Sequence, residues 1–520
     1  MTQHLSSQPP ETLDRIVSHV ADQKDLKSIA LCSKQFYEIA IPYVYRRLDF
    51  RDNSCDDQVF YNDLKHILVL FTRKPELAKH VRHLSIRPAF DDSPLEMKHK
   101  ENPELPSLAD ALAQAKDLEQ EIKGAIETYS QSEKEHVQWL QASDCEDVIL
   151  ALLLPILVNL ETLDLEISLN PLHVERMLWR IGRREKPFDE KPALEKLHSI
   201  AWFHSDSKYG GNMAAGCFEI PSVRAVYLHR MSSYDDDSTA DERLAEVNHG
   251  SSACTHIEMH DCRLNSKDIA NIIKIPSILS TFIYEIGWGH LSYSLVDFRV
   301  IQDALEAHRG HLQDLWLEPW EREYQWLWGE EIGDGEEATC GPMKGFKDFP
   351  KLRRLRVGPE FVFGGWINDE EPNVSDGESS DGETDAERKN LYMYKRLLNF
   401  LPPSLESLQL SKGSFYPELL CEALEHLLVC KESQLPLLEV IKVEIGLWEI
   451  KQHGDRLANV LRLADSSAVK MIGLNDAGEG DMSYEDEVER KWGMDEDITW
   501  ADAGSERNKR LPYEIIDLQY

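Results

Sequence analysis

Past residue 75, apolar residues return in one short pattern, at positions 1, 4 and 6, often with a proline just upstream. The pattern reads Val81-Leu84-Ile86, Leu160-Leu163-Leu165, Leu197-Ile200-Trp202, Val223-Val226-Leu228 and Cys254-Ile257-Met259. It continues as Leu279-Phe282-Tyr284, Leu312-Leu315-Leu317, Leu352-Leu355-Val357, Leu405-Leu408-Leu410 and Leu438-Ile441-Val443. One match arises easily by chance; ten in order do not. Positions 4 and 6 share one face of an extended chain, so each recurrence predicts a short strand with its apolar side turned to a core. Helical periodicity fills parts of the intervals, at 147–154, 266–273 and 418–429. The expected fold class is α/β, a curved parallel sheet with helices outside, each unit supported mainly by its neighbours.

The first fifty residues follow another period. Pro9 and Pro10 suit a helix entry, and Leu13, Ile16, Val17 and Val20 then recur at i, i+3, i+4 and i+7. Asp25 is placed to cap a second helix carrying Leu26, Ile29 and Ala30, and Ser33 a third with Phe36, Ile39 and Ala40. Pro42 is expected to reset the chain into a turn holding Val44, Tyr45 and Leu48. Three short helices make a poor core alone, so the segment is either a cap on a larger domain or a docking module. Periodicity does not decide between these.

Residues 8–50 resemble an F-box along nearly their whole length. Pro9, Glu11, Leu13, Ile16, Val17 and Val20 match that family's opening P-x-E-x-L-x-x-I-L-x-x-L. Leu26, Ile29 and Leu31 match its middle, and Cys32-Ser33-Lys34 stands where the family has V-S-K. Phe36 replaces the usual Trp, while Pro42 and Tyr45-Arg46-Arg47-Leu48 resemble the closing P-x-L-Y-R-x-L. Gln8 and Thr12 depart from it. The ten apolar recurrences are similar to leucine-rich repeats, with spacing from about 25 residues to over 50 against the roughly 20–29 of regular repeats. Together they resemble the fungal F-box proteins with irregular leucine-rich repeats. That resemblance implies a Skp-type adaptor bound through Pro9, Glu11, Leu13, Ile16, Val17, Val20, Leu26, Leu31, Phe36 and Pro42. Through the adaptor it implies a cullin–RING ligase, with a protein client held by the repeats.

The expected organisation is an F-box at 1–50, a linker and first repeat at 51–90, and a charged helical insert at 91–145. Repeats follow at 146–367, an acidic loop at 368–390, the last repeats at 391–450, and a C-terminal helix with an acidic tail at 451–520. Residues 368–387 hold nine acids and no Lys or Arg, a composition too polar to order itself. Within them Ser375 and Ser380 carry acids at +1 and +3, similar to targets of an acid-directed kinase. A second acidic stretch runs from Asp476 to Asp502.

Alternation sends positions 3, 5 and 7 of each strand to the face opposite the core. Tyr227, His229, His256, His260, Trp316, Arg354 and Arg356 stand out there. Aromatic residues and Arg dominate interface energetics, so these are the candidate client-binding residues. The Arg354/Arg356 pair points to an acidic or phosphate contact. Trp320, Tyr324, Trp326 and Trp328, at near-helical spacing beyond Trp316, read as core under a long loop.

The net charge of −36 repels phosphates and anionic lipid, disfavouring nucleic-acid or membrane partners. The longest apolar run, Val148 to Val158, is interrupted by Pro155 and is shorter than the ~20 residues a membrane span needs. The N-terminus has no basic and apolar signal-peptide regions. Nine scattered cysteines without a C-x-x-C fit reduced thiols, giving an expected cytoplasmic or nuclear location. Cys254, His256, His260 and Cys262 invite a zinc reading, but the repeat register turns the cysteines inward and the histidines outward. No metal or other cofactor is therefore expected. P-loop, nucleophile-elbow, H-E-x-x-H and dinucleotide motifs are all absent, so the chain is read as a non-catalytic adaptor.

Overall fold

The computed structural model describes residues 8–20, 22–51, 57–87, 107–143, 145–167, 172–204, 214–233 and 243–287. It also describes 296–319, 342–358, 361–362, 395–411, 417–444, 454–476 and 513–516. The acidic segments 368–390 and 477–502, and Trp320, Tyr324, Trp326 and Trp328, lie outside the described residues. The architecture is α/β, with helices alternating with parallel strands. Two compact units divide the chain. The first is Met1–Leu228 with Asp241–Val247 and Ser251–Ala253; the second is His229–Ala240, Asn248–Gly250 and Cys254–Tyr520.

The first unit opens with helices Pro10–Val17, Gln23–Ala30 and Lys34–Val44. Val17, Leu26, Ala30 and Ala40 form their small core, with Val20, Ile29, Ile39, Tyr43 and Val44 packed against it. Ser33 caps the third helix, accepting from the Phe36 N–H at 3.2 Å. Two details depart from expectation. The second helix is capped by Asp22, which accepts from the Lys24 N–H, so it starts before Asp25 and leaves that residue in its first turn. Pro42 lies inside the third helix rather than ending it. Near a C-terminus only a short stretch of helix follows, so the one backbone bond it removes is tolerated.

The first unit's strands are β1 (Arg47–Arg51), β2 (His83–Arg87), β3 (Thr162–Ile167), β4 (Ser199–His204) and β5 (Ala225–His229), adjacent in that order. Arg47, His83, Thr162 and Ser199 stand abreast in parallel register. β2 to β5 occupy the predicted places; β1 was expected as a turn. Its positions 1, 4 and 6 hold Tyr45, Leu48 and Phe50, so the pattern is present but overlaps the helical segment. The insert forms helices Leu108–Gln114, Gln120–Tyr129 and Glu133–Gln141, as its periodicity predicts. Buried Arg180 donates to the Tyr129 and Lys186 carbonyls at 2.5 and 2.7 Å, tying that insert to helix Leu172–Gly182.

Asp147 makes the other tie. Its carboxyl accepts the N–H groups of His173 and Val174, both at 2.8 Å, at the start of the same helix. Burial pushes its pKa up to about 7, against the pull of those two donors. The folded pKa is thus above the unfolded value of about 3.9, so between the two only the unfolded chain sheds the proton. Stability from this group is present below pH ~4 and is lost as pH rises through ~7. We expect the stability of wild type relative to Asp147→Asn, measured by urea unfolding, to fall by about 2–4 kcal/mol from pH 4 to pH 7. A constant difference across that range would contradict this assignment.

The second unit carries β6 (His256–Cys262), β7 (Thr281–Ile286), β8 (Asp314–Pro319), β9 (Arg354–Val357), β10 (Ser407–Leu410), β11 (Val440–Glu444), β12 (Lys470–Asp476) and β13 (Tyr513–Ile516). They follow chain order; β6 to β12 are parallel, and β13 is antiparallel to β12. Thr281, Asp314, Arg354, Ser407, Val440 and Lys470 form one register row. Helices Ser266–Lys274, Phe298–Leu305, Pro417–Gln434 and Gly454–Ser466 occupy the intervals. From β6 to β11, positions 4 and 6 are buried throughout, each worth roughly 1.5–3 kcal/mol against exposure. β12 and β13 were expected as a helix-plus-acidic tail. In β12 positions 1, 4 and 6 are Ala468, Met471 and Gly473, which hides the repeat from a leucine-based pattern.

Candidate functional site

The ladder register brings the position-3, -5 and -7 side chains of β6 to β9 into one connected cluster within the second unit. Glu258, wholly buried, lies between two imidazoles: His256 Nε2 at 2.7 Å and His260 Nε2 at 2.9 Å. His260 reaches the next strand through Nδ1, 3.0 Å from Glu285. Its ring stands edge-on to Trp316, with centroids 5.7 Å apart. The Trp316 indole N–H donates to Glu318 at 2.6 Å, and the Arg356 guanidinium lies over its ring at 3.8 Å. Arg356 also pairs with Glu318 at 2.5 Å, and Arg354 makes a two-pronged contact with Asp314. One chain of contacts therefore runs from His256 on β6 to Arg356 on β9.

A bulge shapes the β6 end of this cluster. Met259 pairs with Tyr284 but Cys262 with Ile286, so β6 spends one extra residue there. Asp261 takes up the excess at φ 49° and pairs with Arg230 at 3.0 Å. The bulge leaves no room beside the backbone of Gly287, where a Cβ would run into the Asp261 backbone and carboxyl. Its effect is to return Cys262 to the core side.

Cys254 and Cys262 are accordingly buried, and burial pushes the Cys262 thiol strongly up. The two histidines are engaged by Glu258 on the other side, so the four side chains do not converge. Among the described residues, no group of three or more His, Cys, Asp and Glu is arranged to hold a metal.

Of the candidate client-binding residues, His256, His260, Trp316 and Arg356 meet in this cluster, while Arg354 pairs separately with Asp314. Their accessibility differs from the open face the alternation implied. His260 and Arg356 are buried, His256 and Trp316 half-buried, and only Arg354 is exposed. His229, the last residue of β5, is buried. Tyr227 belongs to the first unit, where it is fully buried. The acids that hold these side chains are Glu258, Glu285 and Glu318 within the cluster and Asp314 on Arg354, which aromatic and Arg content did not single out. Their signal was the recurrence of acids at positions 3, 5 and 7 of three consecutive strands.

In the N-terminal helices, Leu13, Val17 and Leu26 are core, and Val20, Phe36 and Pro42 are half-buried. Pro9, Glu11, Ile16 and Leu31 face solvent, Ile16 at 44% and Leu31 at 86% exposure. Neither a scan of known protein-family models nor a search of curated proteins finds a match to this chain. Among the described residues, no helix is long and apolar enough to cross a membrane.

Proposed function

We propose that this chain is the substrate-recognition subunit of an SCF-type ubiquitin ligase. Its N-terminal helices are an F-box that docks a Skp-type adaptor, and its strands are irregular leucine-rich repeats that hold a client protein. The chain itself is not an enzyme; it acts in the cytoplasm or nucleus by fixing the client near a ubiquitin-charged partner. It needs no cofactor.

The carrying observation is where the motif's apolar residues lie. Leu13, Val17 and Leu26 are buried, whereas Ile16 and Leu31, matched to the same motif, lie on the surface. Tyr37 joins them at 47%, so three of the nine large exposed apolar residues among those described fall within residues 8–50. Single exposed apolar side chains are ordinary; a concentration on a helical unit this small favours a partner surface. The regular strand register supports the repeat reading independently of the helices.

A second reading keeps the F-box and the adaptor but dispenses with the cullin, leaving a scaffold. Deleting residues 8–50 separates the two. The ligase reading predicts that cullin disappears from the purified complex and that a client accumulates in cells. Adaptor binding with no cullin and no stabilised client would favour the scaffold.

A further inference from the structure

Gln23 joins the N-terminal helices to the sheet. It opens helix Gln23–Ala30, and its Nε2 donates to the Arg47 carbonyl at 2.7 Å and the Val44 carbonyl at 3.4 Å. Val44 ends helix Lys34–Val44, so its carbonyl is one of those that a helix cannot satisfy internally. Arg47 begins β1, the first strand of the sheet. The preceding carbonyl, that of Arg46, faces β2 and accepts the Arg82 and His83 N–H groups at 2.8 and 3.1 Å. Carbonyls alternate sides along a strand, so the one on Arg47 points off the sheet edge, where Gln23 meets it. An open edge invites foreign strands, and here the helical unit covers part of it.

The covalent path is equally short. Only Tyr45 and Arg46 lie between helix Lys34–Val44 and β1, and both are engaged. Tyr45 packs edge-on against buried Phe71, with centroids 5.9 Å apart, and Arg46 takes the two bonds from β2. Tyr43 donates to Asp14 at 3.0 Å, which ties helix Pro10–Val17 to the same group. A hinge needs residues able to absorb a large change in φ and ψ, and this junction holds its residues in place. The helices and β1 accordingly fall within one compact unit.

We infer that Gln23 is a positioning residue, which locks the adaptor-docking helices to the edge of the sheet and so fixes their orientation to the first repeats. The meaning for adaptor and client rests on the proposed function; the lock itself does not. Its chemistry is selective. Two carbonyls must be met by a donor, which Gln and Lys supply and an ionised Glu does not. Gln23→Glu keeps the length of the side chain and places an acid at a helix N-terminus, where the dipole favours it. The substitution therefore breaks the lock without weakening the helix.

Spin labels carried on non-natural residues at exposed Lys27 and Lys79 of the full chain test this by double electron–electron resonance. Wild type should give one narrow distance distribution. Gln23→Glu should broaden it or add a second peak, and Gln23→Lys should keep it narrow. General destabilisation would affect both variants alike; only loss of the lock separates Glu from Lys. Affinity for a purified Skp-type adaptor, read by calorimetry, should change by no more than about twofold in either variant. Exposed Leu31 stands at the other end of the helix, about 12 Å along its axis from Gln23. A narrow distribution in Gln23→Glu, or an equally broad one in Gln23→Lys, would overturn the lock. A large loss of adaptor affinity in Gln23→Glu would overturn the positioning role and place Gln23 in the docking surface. Wild type that binds no adaptor would contradict the adaptor reading and leave the distance result standing.

Discussion

Ile16→Asp is expected to abolish adaptor docking while leaving the chain folded. Ile16 sits in the last turn of helix Pro10–Val17 with 44% of its surface in water, so a carboxylate there remains solvated in the free protein. The cost to folding is about 1 kcal/mol or less, from lost packing and an acid near a helix C-terminus. At a closed apolar interface the same charge is desolvated without a partner, which costs several kcal/mol and suffices to remove a micromolar contact. Val17, one residue on, is buried in the small core, and Val17→Asp should unfold the helical unit outright. The pair is therefore diagnostic when circular dichroism is measured beside adaptor binding. Ile16→Asp should keep its helicity and lose the adaptor; Val17→Asp should lose both. Docking that survives Ile16→Asp would exclude this surface.

The second large effect is expected at Glu258. Its carboxyl is the hub on which His256 and His260 both close, and none of it is exposed. Glu258→Ala leaves two imidazoles turned toward an apolar void, one of them retaining only Glu285 from its pair of acids. Breaking a buried polar pair of this kind costs about 3–5 kcal/mol. Glu258→Gln keeps the shape and one acceptor and should cost less, about 1–2 kcal/mol. A shift in the urea midpoint of the intact protein reads both. If Glu258→Ala behaves like a surface substitution, within about 0.5 kcal/mol, the cluster is not a structural hub.

The strands were legible because their signal is local and repeated. Every predicted 1-4-6 recurrence from Val81 to Val443 meets a strand that begins at its position 3. Where it failed, the chemistry of the positions explains why. β12 presents Ala468, Met471 and Gly473, which fill the same places with little apolar bulk. β1 shares its residues with the close of the helical segment, so one stretch of sequence served two patterns. Pro42 read as a stop, yet a helix with only two residues left to run tolerates it. The site was half legible. Alternation identified which side chains stand opposite the core, but burial depends on what packs over a face, and no strand carries that information. Thus Arg356 and His260 were placed on the correct side of their strands and expected in water, while they are held inside a carboxylate cluster. Glu285, Asp314 and Glu318 bond across strands, to His260 over 25 residues of chain in the first case and to Arg354 over 40 in the second, and such pairs become visible only once register is set.

The central claim is that residues 8–50 dock a Skp-type adaptor, and affinity purification of the full wild-type chain from cells, with its eluate probed for that adaptor and for a cullin, tests it most directly. The adaptor should be present with wild type, accompanied by the cullin, and absent with Pro9→Ala/Ile16→Asp at equal expression. A wild-type eluate without the adaptor would contradict the claim.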